Sequence, residues 1–252
     1  MTQGVITSVL LFVSKKNITS NKILALAIIA FCLLSSKILL NTLGLTQLQY
    51  FSYFPLGIEY ALAPLLYFYV VSLITPNFKF SKKHLWHFLP FFIFQSYAFF
   101  VYFNVVWLAS FTDKNQLVNN FYYHQIKDIE EYLTVFSVGG YLLAGFFKLK
   151  KYRRELNETI SDSTFPTFNW LMKVFIFSSI LGVILLINEF LDFFFGYKNT
   201  HYFHWQIFYL FNAFLIYYLG FIGYQQPDFQ IDEFKHTQTT NKTTSLNKEK
   251  QQ

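Results

Sequence analysis

Charge is scarce in this 252-residue chain: only 13% of it is Asp, Glu, Lys or Arg, about half of the roughly 25% found in soluble domains. A single cysteine, Cys32, excludes an intrachain disulfide and a cysteine metal site. There is no nucleophile elbow, no glycine-rich phosphate loop and no zinc signature, so the expected protein is not an enzyme and takes no cofactor or metal. His201 and His204 have helical metal-ligand spacing. They fall where an apolar helix is expected to meet water, however, and histidines are common there without a metal.

Hydrophobic residues fill what charge leaves empty, at 54% of the chain, with aromatics at 22%. They come in runs of roughly 17 to 22 residues, and at about 1.5 Å per residue such a run crosses a hydrocarbon core of about 30 Å. The fold expected is all-α and integral to a membrane: a bundle of seven transmembrane helices near 4–14, 23–41, 56–75, 85–108, 132–148, 169–195 and 205–224. These make one domain, 1–229, with the polar 230–252 as a disordered tail too poor in apolar surface to fold alone. The first span is short for a bilayer, so either its true start is expected upstream or the helix is incomplete. The segment 111–131, rich in charge, reads as the longest outer loop.

The net charge of +6 could signal nucleic-acid binding, but its placement argues for topology. Lysines and arginines cluster at Lys15, Lys16 and Lys22, at Lys79, Lys82 and Lys83, after 148, and in the tail. All these segments fall on one side of an alternating seven-span path, with only Lys114, Lys127 and Lys198 opposite and Lys37 near the rim. Basic residues are retained on the cytoplasmic side, so the N-terminus is expected outside and the C-terminus inside. The Asn-x-Ser/Thr matches at Asn17, Asn157 and Asn241 then fall on cytoplasmic segments and carry no glycan. The localisation expected is a bacterial inner membrane, multi-pass, with the lipid bilayer as the first partner.

Charge inside or at the rim of a bilayer is costly and tends to face the bundle interior. Lys37, Glu59, Glu189 and Asp192 meet that description. Glu189 and Asp192, three apart, share a helix face, and Lys37 has Glu59 or Glu189 as a possible counter-ion. Structural ion pairs account for these charges; an outward-opening pocket for an unknown small ligand, lined by Lys37, Glu59, Tyr60, Asn188, Glu189, Asp192 and Trp205, is the sharper reading. The basic run Lys148, Lys150, Lys151, Arg153 and Arg154 is expected to continue a helix into the cytoplasm, where it meets anionic lipid or relays a signal. A faint internal echo also exists: Leu65-Leu66-Tyr67-Phe68 before Pro76, and Leu215-Ile216-Tyr217-Tyr218 before Pro227. A parallel three-plus-one-plus-three repeat would give those two helices the same orientation.

Several short motifs keep a shared order: Asn21-Lys22-Ile23-Leu24-Ala25-Leu26, Pro64-Leu65-Leu66-Tyr67-Phe68-Tyr69-Val70, His87-Phe88-Leu89-Pro90-Phe91, Tyr152-Arg153-Arg154, Asn169-Trp170-Leu171, and Gly220-x-x-Gly223-x-x-Gln226-Pro227-x-Phe229. Together they resemble the N-terminal membrane portion of bacterial AraC-type transcription regulators, which carry several transmembrane helices ahead of a helix-turn-helix domain. The resemblance implies a sensory input module that relays an external or intramembrane signal through its last helix. The output would be a cytoplasmic partner protein or a second copy of the chain. Residues 1–252 hold no helix-turn-helix sequence, so they are not expected to bind nucleic acid directly. A small-solute transporter of parallel-repeat type, or a membrane scaffold protein, are the alternatives. Reporter fusions at the Lys82 turn and after Arg154 are expected to report the same side of the membrane, opposite to a fusion at Asn119.

Overall fold

The computed structural model describes residues 1–15, 18–45, 48–75, 78–159, 166–197 and 203–224. Expectations placed on the remaining residues, including the disordered tail, Lys198 and His201, lie outside the described residues. Among the described residues the chain is helical throughout, without strands. The helices are α1 (Thr2–Val13), α2 (Ile18–Thr42), α3 (Glu59–Ile74), α4 (Lys82–Leu85), α5 (Leu89–Val105), α6 (Phe111–Asn120), α7 (Tyr123–Thr159), α8 (Pro166–Phe195) and α9 (Phe203–Tyr224).

Local chemistry sets several of the boundaries. Ser81 opens α4 in a capping box with His84, whose Nδ1 accepts from the Ser81 backbone N–H at 3.0 Å. A short 3-10 turn, Trp86–Phe88, then leads into α5, where Pro90 sits in the first turn, a position that needs no N–H donor. Ser110 caps α6 through the Asp113 N–H. At the end of α8, Gly196 takes φ 64° and its N–H closes on the Asp192 carbonyl at 3.1 Å, the left-handed stop that glycine permits without a Cβ penalty.

Four stretches are long and apolar enough to cross a membrane: Ile18–Lys37, Lys82–Val105, Tyr123–Glu155 and Leu171–Phe195. The apolar helices α1 and α3 are shorter. Residues 111–131, expected as an outer loop, instead hold α6 and the first turns of α7. The capped sequence of α6 is amphipathic and buries Val118 and Lys114 against its neighbours, and α7 runs 37 residues, well past the expected 132–148 at both ends. The large apolar side chains on α5, α7 and α8 stay exposed, among them Phe92, Phe103, Phe136, Phe147, Phe193 and Phe194. Surface of this kind is foreign to water-soluble monomers.

Packing builds a closed ring. α2 meets α3, α3 meets α7, α7 meets α8, α8 meets α9, and α9 returns to α2. α1 lies outside the ring, in the groove between α2 and α9, while α5 leans on α3 and α6 on α7. Exchanging α1, α2 and α3 for α7, α8 and α9 turns each substantial contact among these six helices into another of the set. α1 on α2 becomes α7 on α8, α3 on α7 becomes α9 on α1, and α2 on α9 becomes α8 on α3. The two halves differ in tightness. α2 and α9 touch closely, whereas α3 and α8 meet only narrowly, and a cavity opens in that gap behind α7.

The tight half is made by small and branched residues on α2. Leu24, Ala25, Ala27, Ile28 and Phe31 are fully buried, and polar links tie the helices across it. Ser8 Oγ donates to the Ala25 carbonyl at 3.0 Å, Ser72 Oγ to Ser20 Oγ at 2.9 Å, and Asn212 Nδ2 to Ser35 Oγ at 2.9 Å. Glycine contacts are selective. Gly139 and Gly140 face open space, whereas Gly145 on the same helix is pressed by the Phe175 ring. At Gly4 an added Cβ would strike Cys32 Sγ and lie 2.8 Å from Ile216 Cγ2. Gly4→Val is therefore expected to lower stability by about 1–3 kcal/mol, read as a fall in the thermal midpoint of the solubilised protein. Gly139→Ala is expected to raise stability by up to about 1 kcal/mol, through helix propensity alone.

Candidate functional site

The ring encloses two adjoining spaces at different depths, and α2, α3, α7, α8 and α9 contribute wall residues to both. At the end where α2 and α8 finish and α3, α7 and α9 begin lies a polar vestibule of about 110 Å³. Below it is an apolar chamber of about 80 Å³. Leu34, Glu59, Thr134, Leu185 and Phe208 belong to both walls, so the two spaces adjoin.

The vestibule gathers Lys37, Glu59, Glu189, Asp192 and Trp205 from the residues singled out in the sequence. Lys37 Nζ donates to Glu59 Oε1 at 2.8 Å, joining the last turns of α2 to the first of α3, with side chains 48% and 24% exposed. Asp192 is held from α9 twice: His204 Nε2 lies 2.8 Å from Oδ1, and Trp205 Nε1 donates to Oδ2 at 2.8 Å. Asp192 and His204 are nearly buried, so their contact is little weakened by solvent. It pins the first turn of α9 to the last turn of α8.

Tyr60 and Asn188 do not join them. The Tyr60 ring packs on Phe94 of α5, with centroids 6.1 Å apart, and Asn188 is buried away from the vestibule with its Nδ2 unpartnered. Each is adjacent in sequence to a vestibule carboxylate, Glu59 or Glu189, and one step along a helix turns a side chain by about 100°. In their place α7 supplies Lys127, Glu130, Glu131 and Thr134. Lys127 Nζ bonds Glu130 Oε2 at 2.5 Å, and Thr134 Oγ1 donates to the Glu130 carbonyl at 2.8 Å. Their spacing of three, four and seven is a helix face, and it becomes readable once 123–134 is taken as helix.

The chamber below is walled by such residues as Phe31, Leu62, Leu66, Val138, Leu142 and Phe175, with hydroxyls from Tyr67, Tyr141 and Ser178. Tyr141 is positioned from outside the ring by His87 Nδ1, 2.7 Å from its hydroxyl. Ser178 Oγ is buried, at 8% exposure for the residue, and has no hydrogen-bond partner.

Lys114 is a charge that the sequence assigned to an exposed loop. It is fully buried on α6 and bonds the Gln49 carbonyl and Ser52 Oγ, the latter at 2.9 Å, so it staples the connection between α2 and α3. Burial draws its ammonium below the ordinary lysine range. The run Lys148, Lys150, Lys151, Arg153 and Arg154 is exposed on the last turns of α7, while Leu149 and Tyr152 face inward. It lies about 27 Å along the helix from Glu130. Among the described residues, no three His, Cys, Asp or Glu side chains converge to hold a metal ion.

No family model, curated protein or solved structure matches this chain. The arrangement itself is a charged mouth over an apolar pocket, latched by bonds between helices. Asp192→Ala strands the Trp205 N–H and His204, and is expected to cost about 1–3 kcal/mol. A lower thermal midpoint and a red-shifted Trp205 emission, isolated in a background with the other tryptophans replaced, would record it.

Proposed function

We propose that this chain is the membrane-embedded sensory input module of a transcription regulator. Its seven apolar helices cross a bacterial inner membrane, with the N-terminus outside and the C-terminal segment in the cytoplasm. The vestibule then faces outward, and the basic end of α7 meets the cytoplasmic leaflet. The resemblance to AraC-type membrane regulators and the one-sided placement of lysine and arginine support this reading.

The observation that carries it is the double hold of Asp192 on His204 and Trp205. This clamp is part of the vestibule wall, and it fixes the helix that leads into the C-terminal segment. A ligand that competes for Asp192, or spreads α8 from α9, favours one placement of α9 over another. That is a population shift driven by differential affinity. Helix shifts of this kind are about 1–2 Å.

A transporter is the second reading, favoured by the contact pattern that survives exchange of the two helix triplets. Parallel repeats with a site between them are a transporter architecture. The two readings separate in one membrane preparation. Spin labels at Lys148 and Phe221, on the far ends of α7 and α9, are expected to change separation by about 2 Å when Asp192→Ala releases the clamp. An unchanged separation, together with accumulation of solute by proteoliposomes holding the chain, would replace the sensor with the transporter.

A further inference from the structure

We infer that the cavity takes a small cationic amphiphile: an ammonium head in the vestibule and a short aliphatic body in the chamber beneath. This names the ligand class for the signal site proposed above and rests on that reading of the cavity.

Charge decides the head group. Among the described residues the vestibule wall carries five carboxylates, those of Glu59, Glu130, Glu131, Glu189 and Asp192, and the ammonium groups of Lys37 and Lys127. Both lysines are engaged by wall carboxylates, Lys37 by Glu59 and Lys127 by Glu130. An anion entering this space meets a field of its own sign, and walls of low dielectric enlarge that penalty. A cation gains from the same field. Aromatic faces strengthen the preference: Trp205, Phe208 and Tyr209 stand in the same wall, with the Trp205 and Tyr209 rings stacked at 6.0 Å. Carboxylates beside aromatic faces are the surroundings that receive alkylammonium groups. A bare metal ion is a poorer fit, because the carboxylates do not converge as a ligand set among the described residues.

Size and polarity decide the body. The chamber's 80 Å³ is about half of the roughly 150 Å³ that receives a benzene ring, so it holds roughly three or four heavy atoms. A short branched end such as isopropyl fits, with the carbons next to the ammonium in the vestibule, and an acyl chain does not. The walls are hydrocarbon except for a few hydroxyls, and Ser178 Oγ, buried without a partner, is one of them. A buried hydroxyl left unpaired is a standing cost that a ligand atom in the chamber relieves. Leu34, Glu59, Thr134, Leu185 and Phe208 line both spaces, which sets the place of the head directly beside that of the body.

The test uses the full chain in nanodiscs of neutral lipid, with three probes of similar shape: isoamylamine, isoamyl alcohol and 4-methylpentanoate. Isothermal titration is expected to show the amine binding at least about tenfold more tightly than the alcohol, with no binding of the carboxylate. Glu189→Gln and Glu131→Gln are each expected to weaken the amine about tenfold and to leave the alcohol unchanged. Glu155→Gln, at the far end of α7, is expected to change neither. Equal or tighter binding of the carboxylate, amine binding indifferent to both vestibule substitutions, or stabilisation by Ca²⁺ in place of the amine would overturn the inference. The unsubstituted protein decides the charge preference even where a variant fails to fold. Amine binding without movement of the Lys148 and Phe221 labels would leave this inference standing and sink the relay. Movement caused by the carboxylate would do the reverse.

Discussion

A charged side chain set among apolar helices has to be answered by another polar group, and in this bundle that requirement organises everything around the cavity. Lys37 and Glu59 meet at 2.8 Å across α2 and α3. Lys127 and Glu130 meet within the first turns of α7, and Asp192 is answered from α9 by His204 and Trp205. These bonds do two things at once. They limit the cost of holding charge where solvation is poor, and they fix the ends of the helices that form the ring. Polar bonds also tie α2 to α1, α3 and α9 deeper in the bundle, through Ser8, Ser72 and Asn212, beside its closely packed apolar face. In lipid, hydrocarbon gains little by leaving one apolar neighbour for another, so such bonds and close fit carry the association.

The cavity follows from an inequality between two similar halves. α1 and α7 occupy corresponding places in the contact pattern, yet they are built differently. α1 presents Gly4, Ser8 and Leu11 to its neighbours, all buried, and seats closely in the groove of α2 and α9. α7 presents Thr134, Val138, Tyr141 and Leu142 to the space behind it. These side chains reach α8 at only a few points, as where Leu142 and Val138 approach Gly182. The bulk of α7 holds α3 and α8 apart, and the space between them is the chamber. Charge at the mouth, apolar walls below and a clamp on α9 then give the cavity the physical means to bind a small molecule and to feel its presence.

Much of this was readable in the residues, for identifiable reasons. Apolar runs mark out the long helices, and the cost of charge in such runs singles out four of the vestibule residues, Lys37, Glu59, Glu189 and Asp192. Reading stopped where composition and structure part company. By composition Lys22 marks the boundary before the second helix, but it lies within α2 on an exposed face, with its ammonium 5.7 Å from the Phe12 ring centroid. A long lysine side chain can leave an apolar helix without ending it. Residues 111–131 read as a loop because they are polar, although Ser110 and Asp113 supply a helix start and the 127, 130, 131, 134 spacing is helical. Which half would pack tightly had no signature in the sequence, since it depends on the shapes that meet across the ring.

The most direct measurement of the account is a double-mutant cycle on Lys37 and Glu59 in a bilayer, with Lys37→Met, Glu59→Gln and the double variant followed by reversible unfolding. If partnered charge holds α2 to α3 at the mouth of the cavity, each single change destabilises the protein, and the double variant recovers stability, with a coupling of about 1 kcal/mol. Strict additivity of the two single changes would contradict the account.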